Sequence, residues 1–213
     1  MSNRKILDEF LDYKEHVGKS SKHTISAYKN DLNQYIDFLS EKNISLIDSK
    51  TIDIQNYLNK IGKSQNISTS SMARKLASIK SMYKYLANNK IISNNISRLI
   101  KTPKIPKRLP NFLSLKEIKK LLDYPYGDSI KDLRDRLILE LFYATGIRIS
   151  ELVQVKISDI NFDDKLIKIK GKGNKERFVI FSDGMLAVLN DYLNKRGVDS
   201  ICSNINFLFP SYL

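Results

Sequence analysis

The 213-residue sequence contains one cysteine, two histidines and no tryptophan, and these scarcities limit its chemistry. The single Cys202 cannot form an internal disulfide or a multi-cysteine zinc site. His16 and His23 both lie near the N-terminus, so the sequence has no HExxH motif and no His/Cys cluster. It also lacks a GxGxxG motif and a Walker loop, the motifs that cradle nucleotide phosphates. We therefore expect neither a metal nor a cofactor.

Long apolar runs and a signal-peptide core are missing as well. No run approaches the ~18 residues of a transmembrane helix, and the N-terminal residues alternate charged with apolar side chains. With 42% hydrophobic and 28% charged residues, 8 glycines and 5 prolines, the composition is that of a folded globular protein. The sequence therefore predicts a soluble, cytoplasmic protein without a membrane partner.

Negative charge is comparatively scarce. The chain carries 36 Lys and Arg residues against 23 Asp and Glu residues, which gives a net charge of +13 and a pI of about 9.6. Such an excess favours a polyanionic partner, and nucleic acid is the first candidate. The alternative is a solvated basic surface with no special partner, because a lysine-rich composition also arises from genome-wide bias.

The spacing of apolar residues predicts a mainly α protein with two domains. Within residues 1–100, apolar residues recur at helical spacing in four segments, which suit a small four-helix bundle. Residues 101–110 contain three prolines and several cations but no acid, as expected for an extended basic linker. Residues 111–213 predict further helices and, on either side of Gly171–Asn174, a β-hairpin. The second domain is therefore expected to be α+β.

Three motifs resemble the tyrosine recombinase (phage integrase) family, and especially its Xer-type members. They are STSSMARKLASIKSMYKYL at residues 68–86, ATGIRISEL at residues 144–152 and KGKGNKERFVIF at residues 170–181. The resemblance implies that residues 1–100 form the family's helical, SAM-like core-binding domain. It also implies that residues 111–213 form the N-terminal part of the family's catalytic domain, which would be incomplete.

The resemblance assigns candidate catalytic residues in the second domain. Arg148 matches the first catalytic arginine of the family, since a guanidinium binds and neutralises a phosphate. Lys172, at the hairpin tip, matches the family's lysine and is the candidate general acid. Glu151 is placed to orient Arg148. The alternatives are a simple surface ion pair between Arg148 and Glu151, and a solvated basic turn around Lys172.

Polar and cationic side chains near these motifs are candidate DNA contacts, because such side chains bind phosphates and bases. Of these candidates, Tyr28 is interpreted equally well as a core residue. The candidates are Thr24, Tyr28, Arg74, Lys75, Ser78 and Lys80 in the first domain, and Lys170, Lys175 and Arg177 at the hairpin.

The sequence also departs from the family pattern. The family completes its site with a His-x-x-Arg pair, a further His or Trp and a tyrosine nucleophile, whereas no histidine follows His23 here. Tyr212 is not nominated as the nucleophile. We expect this chain alone not to recombine DNA, whether it is a piece of a longer recombinase or a natural truncation. If the chain is a natural truncation, its second domain is expected to expose apolar residues such as Leu137, Leu141 and Val188, and to self-associate or be unstable.

Three functions remain as hypotheses. The first is a site-specific recombinase that binds double-stranded DNA, acts with recombinase partners or as a homo-oligomer on DNA, and cleaves and rejoins strands without metal in the complete protein. The second is a catalytically incomplete DNA-binding module or regulator of a full-length recombinase. The third is a helical protein–protein adaptor whose basic surface is incidental. A steep salt dependence of DNA binding would separate the first two from the third.

Overall fold

The computed structural model describes residues 2–63, 67–106, 111–171, 173, 175–197 and 207–210. The chain divides into two compact units, Met1–Leu109 and Pro110–Leu213. Helices predominate in the described residues, and their one sheet has three antiparallel strands and lies in the second unit. The predicted fold, mainly α with an α+β second half, is thereby confirmed. None of the described helices is both long and apolar enough to cross a membrane.

Four helices form the first unit: α1 (Asn3–His16), α2 (Lys22–Ser40), α3 (Thr51–Gly62) and α4 (Thr69–Asn88). Three of them begin at a serine whose side-chain oxygen accepts a hydrogen bond from a backbone N–H of the first turn, which satisfies a donor that the helix itself leaves unpaired. These serines are Ser2, Ser21 and Ser68. Three of the four predicted helical segments therefore begin at a capping serine, whereas α3 follows Lys50, which makes no side-chain cap hydrogen bond.

The core of the first unit is apolar but contains a buried row of hydroxyl groups. Ser49 Oγ lies 2.5 Å from Tyr83 Oη, which in turn lies 3.1 Å from Tyr35 Oη. Burial raises the pKa of both tyrosines, so both hydroxyls stay protonated and available as donors. Tyr83 accordingly has the core position that its helical spacing predicts.

The described residues of the second unit form four α-helices, a 3-10 helix (Ile157–Asp159) and a small sheet. The sheet order is β1-β2-β3, and β2 and β3 form the predicted hairpin with Ile167 opposite Val179. The two-residue strand β1 adds an edge that the sequence pattern does not reveal. The elements are α5 (Leu115–Leu122), α6 (Ile130–Thr145), α7 (Ile149–Leu152), β1 (Ile160–Asn161), β2 (Leu166–Lys170), β3 (Glu176–Ile180) and α8 (Asp183–Arg196).

The expected exposure of Leu137, Leu141 and Val188 is wrong, since all three side chains are buried. Helices α6 and α8 pack against each other and against the inner face of the sheet, which supplies these residues with partners. The segment 207–210 also joins the core, because the Leu208 N–H donates to the Val155 carbonyl at 2.8 Å and the Leu208 side chain is buried. Large apolar side chains are exposed elsewhere in this unit, at Phe112, Leu115, Ile149, Phe178 and Ile180.

Candidate functional site

A tight turn after α6 presents Arg148. The helix ends at Gly146, whose φ of +58° lies in the left-handed region, where a residue with a side chain is strained. Arg148 follows in an extended conformation as the residue that caps α7. Its side chain is 75% exposed. The Gly-containing break thus leaves the guanidinium open to a ligand, as a phosphate-binding arginine requires.

Glu151 is the buried centre of this site, with a side chain only 6% exposed. Its carboxylate accepts hydrogen bonds from the Arg148 backbone N–H at 3.0 Å and from Arg148 Nη1 at 3.1 Å. Arg177, on β3, donates to the same carboxylate through Nη1 at 3.1 Å and Nη2 at 2.8 Å. The hydrogen bonds from Arg177 and then that from the Arg148 backbone lower the pKa of the Glu151 carboxyl to about 2.

This arrangement joins two elements that are separate in sequence. Two guanidinium groups share one carboxylate, so the cluster keeps a net positive charge at neutral pH. Arg177 makes a bidentate pair with Glu151, which fixes the carboxylate, and Arg148 is held to that carboxylate by its backbone N–H and by Nη1. The cluster is therefore chemically suited to binding a phosphate with Arg148 while Glu151 fixes the arginine's orientation.

The hairpin end of the second unit lies beside the cluster. Gly171 directly follows β2, its N–H donates to the Lys175 carbonyl at 2.7 Å, and a Cβ added there would lie 3.3 Å from Glu151 Oε1. Lys175 is exposed, and Lys170 Nζ lies 3.9 Å from Glu176 Oε1. Lys172, the predicted general acid, lies outside the described residues. Of the hairpin candidates, the structure brings Arg177 to Arg148 and Glu151.

In the first unit, Asp31 gathers three of the predicted DNA contacts. Its carboxylate accepts hydrogen bonds from Arg74 Nη1 at 2.5 Å, from Ser78 Oγ at 2.9 Å and from Lys75 Nζ at 3.4 Å. Lys75 also donates to Gln34 Oε1 at 2.5 Å. Lys75 and Ser78 are buried and directed to this network, and whether they touch DNA stays a prediction. Arg74 remains half-exposed.

The other first-unit candidates lie at the surface of α2 and α4. Thr24 is exposed, with its hydroxyl 2.9 Å from Ser21 Oγ. Tyr28 is half-buried and packs edge-on against Phe10, so both interpretations of this residue keep support. Lys80 Nζ lies 3.4 Å from Thr102 Oγ1. Whether these residues touch DNA stays a prediction.

Asp31 and Gln34, which hold the cationic side chains in place, are not among the predicted site residues. One signal was present. Asp31 follows Tyr28 by three residues and precedes Tyr35 by four, so it shares the apolar stripe of its helix. An acidic residue in such a stripe indicates a buried partner of opposite charge.

The low pKa of Glu151 predicts a pH effect on stability. Because the folded-state pKa of about 2 lies below the ordinary pKa of 4.5, the carboxylate's contribution to stability is complete above pH 4.5 and is lost as the pH falls toward 2. Thermal unfolding at several pH values should therefore show that the native chain is more stable than the Glu151→Gln variant above pH 4.5. The difference in melting temperature should shrink as the pH falls below 4.5. The matched control is Glu176→Gln, which removes an exposed surface carboxylate. A Glu151→Gln difference that does not vary with pH would contradict the assignment.

Comparison with known proteins agrees with both units. The phage integrase family matches residues 111–212, and the phage integrase N-terminal SAM-like domain matches residues 7–90. A tyrosine recombinase of Pseudothermotoga lettingae is 37% identical over 195 residues, which cover 91% of this chain and 67% of that protein. This chain belongs to the tyrosine recombinase (phage integrase) family. The resemblance inferred from the three motifs is confirmed.

Two further known proteins are similar to this tyrosine recombinase family member. Tyrosine recombinase XerC of Myxococcus xanthus is 38% identical over 193 residues, covering 90% of this chain and 64% of that protein. The chain thus spans about two thirds of the length of these relatives. The crystal structure of a lambda integrase tetramer bound to a Holliday junction matches with a TM-score of 0.69 and 19% identity, covering 96% of this chain and 60% of that one. The latter likeness shows a shared fold.

Proposed function

We propose that this chain binds double-stranded DNA as part of a site-specific tyrosine recombinase of the Xer type, acting in the cytoplasm. The observation that carries the proposal is the cluster in which buried Glu151 orients exposed Arg148 and ties it to Arg177. The family membership and the net charge of +13 support the same interpretation.

The chemistry assigned to the cluster is metal-free phosphoryl transfer. In the complete reaction, a tyrosine oxygen attacks phosphorus, the bond to the 5′ oxygen breaks, and that oxygen takes up a proton. Arg148 would bind the non-bridging oxygens and stabilise the charge that grows on them. Lys172 would donate the proton to the leaving 5′ oxygen, and Lys170 and Lys175 would hold the neighbouring backbone phosphates.

Association on DNA is part of the proposal. The lambda integrase relative was crystallised as a tetramer bound to a Holliday junction. We infer that this chain likewise acts with recombinase partners or further copies of itself on DNA. The exposed apolar side chains of the second unit, including Phe178 and Ile180, are consistent with such contacts.

A second candidate is a DNA-binding module without catalysis of its own. The observation that favours it is that the 213 residues hold no histidine after His23 and no tryptophan, so a His-x-x-Arg pair is absent from them. Such a chain would occupy recombination sites or regulate a full-length relative. Both candidates share DNA binding and differ in strand cleavage.

The salt dependence of DNA binding tests the shared step. If the chain contacts four or more phosphates, the logarithm of its association constant should fall with the logarithm of salt concentration with a slope of about −3.6 or steeper. Fluorescence anisotropy on a labelled duplex between about 50 and 200 mM salt measures this slope. Lys175→Ala should make the slope shallower by about 0.9, because it removes one exposed cation. A flat slope, or no binding at low salt, would instead support a protein–protein adaptor.

A further inference from the structure

A groove lies on the surface of the first unit between α2 and α4. It encloses about 360 Å³ and combines methyl groups with a few polar side chains. Ala27 and Ala77 contribute only methyl groups to its walls, since neither has a side chain beyond Cβ. The residues that line it are His23, Thr24, Ala27, Tyr28, Arg74, Ala77 and Ser78.

Asp31 holds Arg74 in place at this groove. The Asp31 side chain is 1% exposed, and its carboxylate is satisfied by Arg74, Lys75 and Ser78 together. Arg74 is 52% exposed although it contacts this buried anion. The two cations outnumber the single carboxylate, so the network keeps a positive charge that only Arg74 presents to solvent.

The guanidinium of Arg74 retains an unused edge. Its Nη1 donates to Asp31 Oδ2, and among the described residues no acceptor is found for Nε or Nη2. These two groups form a planar fork that fits two acceptors side by side. Because the ion pair already restricts the side chain, less rotamer entropy is lost when that fork binds. A flexible surface lysine has neither property.

The groove's walls favour a base over a phosphate as the ligand. In the DNA major groove, guanine presents O6 and N7 as adjacent acceptors, and the thymine methyl group favours contact with small apolar side chains. A fixed fork beside Ala27 and Ala77 offers both complements. We propose that Arg74, positioned by Asp31, reads a guanine in the major groove while Ala27 and Ala77 contact the methyl group of a neighbouring thymine. The proposal rests on the DNA binding proposed above and adds sequence specificity to it.

Selection of duplexes from a random library by the full chain tests the proposal. We expect one enriched position to be guanine, next to a thymine, with a preference of about 5- to 150-fold over other bases. Arg74→Ala should abolish the preference at that position. Arg74→Lys keeps the charge and the ion pair with Asp31 but lacks the fork, so it should lose the preference while its overall affinity changes little.

Two further substitutions distinguish recognition of a base by Arg74 from a general effect of its charge. Lys84→Ala removes an exposed cation from the same helix, outside the groove, and should weaken all sequences alike without altering the preference. Asp31→Asn should lower the preference for guanine and raise non-specific affinity, because it removes a negative charge together with the anchor. A purely structural role for Asp31 would not move these two quantities in opposite directions.

Modified DNA gives the decisive measurement. Replacing the selected guanine with 7-deazaguanine removes N7, and replacing the neighbouring thymine with uracil removes its methyl group. Each change should weaken binding by the native chain, and 7-deazaguanine should have no effect on Arg74→Ala. Equal weakening of all duplexes by Arg74→Ala, with a salt slope shallower by about 0.9, would make Arg74 a phosphate contact and overturn the proposal. Salt-dependent binding without any selected base would also overturn it, whereas absence of DNA binding would overturn the proposed function as well.

Discussion

Replacing Leu137 with alanine is expected to lower the free energy of unfolding of the second unit by about 2–5 kcal/mol. Leu137 is completely buried in α6, in the contact between α6 and α8. The substitution removes apolar contacts and leaves a cavity that rigid neighbouring helices fill only in part. For a unit of about this size, each kcal/mol corresponds to roughly 4–8 °C in the melting temperature.

Hydrogen exchange under increasing urea measures this loss within the full chain. Peptides from α6 and α8 report the second unit, and peptides from α2 and α4 report the first. Leu115→Ala, at a side chain 77% exposed, is the matched control and should change stability by no more than about 0.5 kcal/mol. Equal effects of the two substitutions would mean that α6 and α8 do not form the core described here.

The helix α8 shows how far local sequence determines structure. The pattern predicts a helix from about Asp183 to Arg196, and the structure has the same bounds. Ser182 caps its first turn, and Gly197 ends it in the left-handed region. Each of these signals lies within a residue of the helix end, so no distant contact is needed to interpret it.

Segments that depend on distant contacts were predicted less well. A helix over residues 148–155 is expected from spacing alone, but α7 spans only Ile149–Leu152. The following residues leave the helical path because Val155 and Ile157 enter the core, and Val155 also binds Leu208 through its carbonyl. A partner more than fifty residues away in sequence leaves no trace in a local apolar pattern.

The contacts of the candidate site also differ in how well the sequence predicts them. Arg148 and Glu151 share one short motif, so their pairing is predictable from sequence and is present at 3.1 Å. From its cationic side chain Arg177 is predicted only as a DNA contact, whereas in the structure it binds Glu151, 26 residues earlier in the chain. Lys75 is predicted as a DNA contact because it is cationic, and its burial beside Asp31, 44 residues earlier, does not follow from the local pattern.

Replacing Arg148 with alanine is expected to slow strand cleavage by about 10²–10³-fold or more, because it removes a charged donor from the developing phosphate charge. The measurement needs a protein that supplies the family's remaining catalytic residues. A chimera can continue this chain with the third of the Pseudothermotoga lettingae recombinase that this chain does not match. The covalent protein–DNA adduct formed on a nicked duplex, resolved on a denaturing gel, gives the cleavage rate.

The variants of this chimera distinguish orientation from charge. Arg148→Lys keeps a positive charge but loses the fork, so its rate should lie between those of the native chimera and Arg148→Ala. Glu151→Gln keeps both arginines and weakens the group that orients them, so it should slow cleavage while DNA affinity stays the same or rises. Arg134→Ala, which removes an arginine paired with its own neighbour Asp135, should leave the rate within about twofold.

These outcomes decide what the shared carboxylate does. If Arg148→Ala and Arg148→Lys slow cleavage equally, a positive charge without the guanidinium fork contributes nothing measurable to cleavage. If Arg148→Ala leaves the rate unchanged, the cluster is a structural ion-pair network that ties α7 to β3, and the catalytic assignment fails. If the Arg148→Ala chimera cleaves slowly but binds DNA normally, Arg148 stabilises the transition state rather than the bound ground state. Only an interaction that strengthens in the transition state changes the rate without changing the affinity.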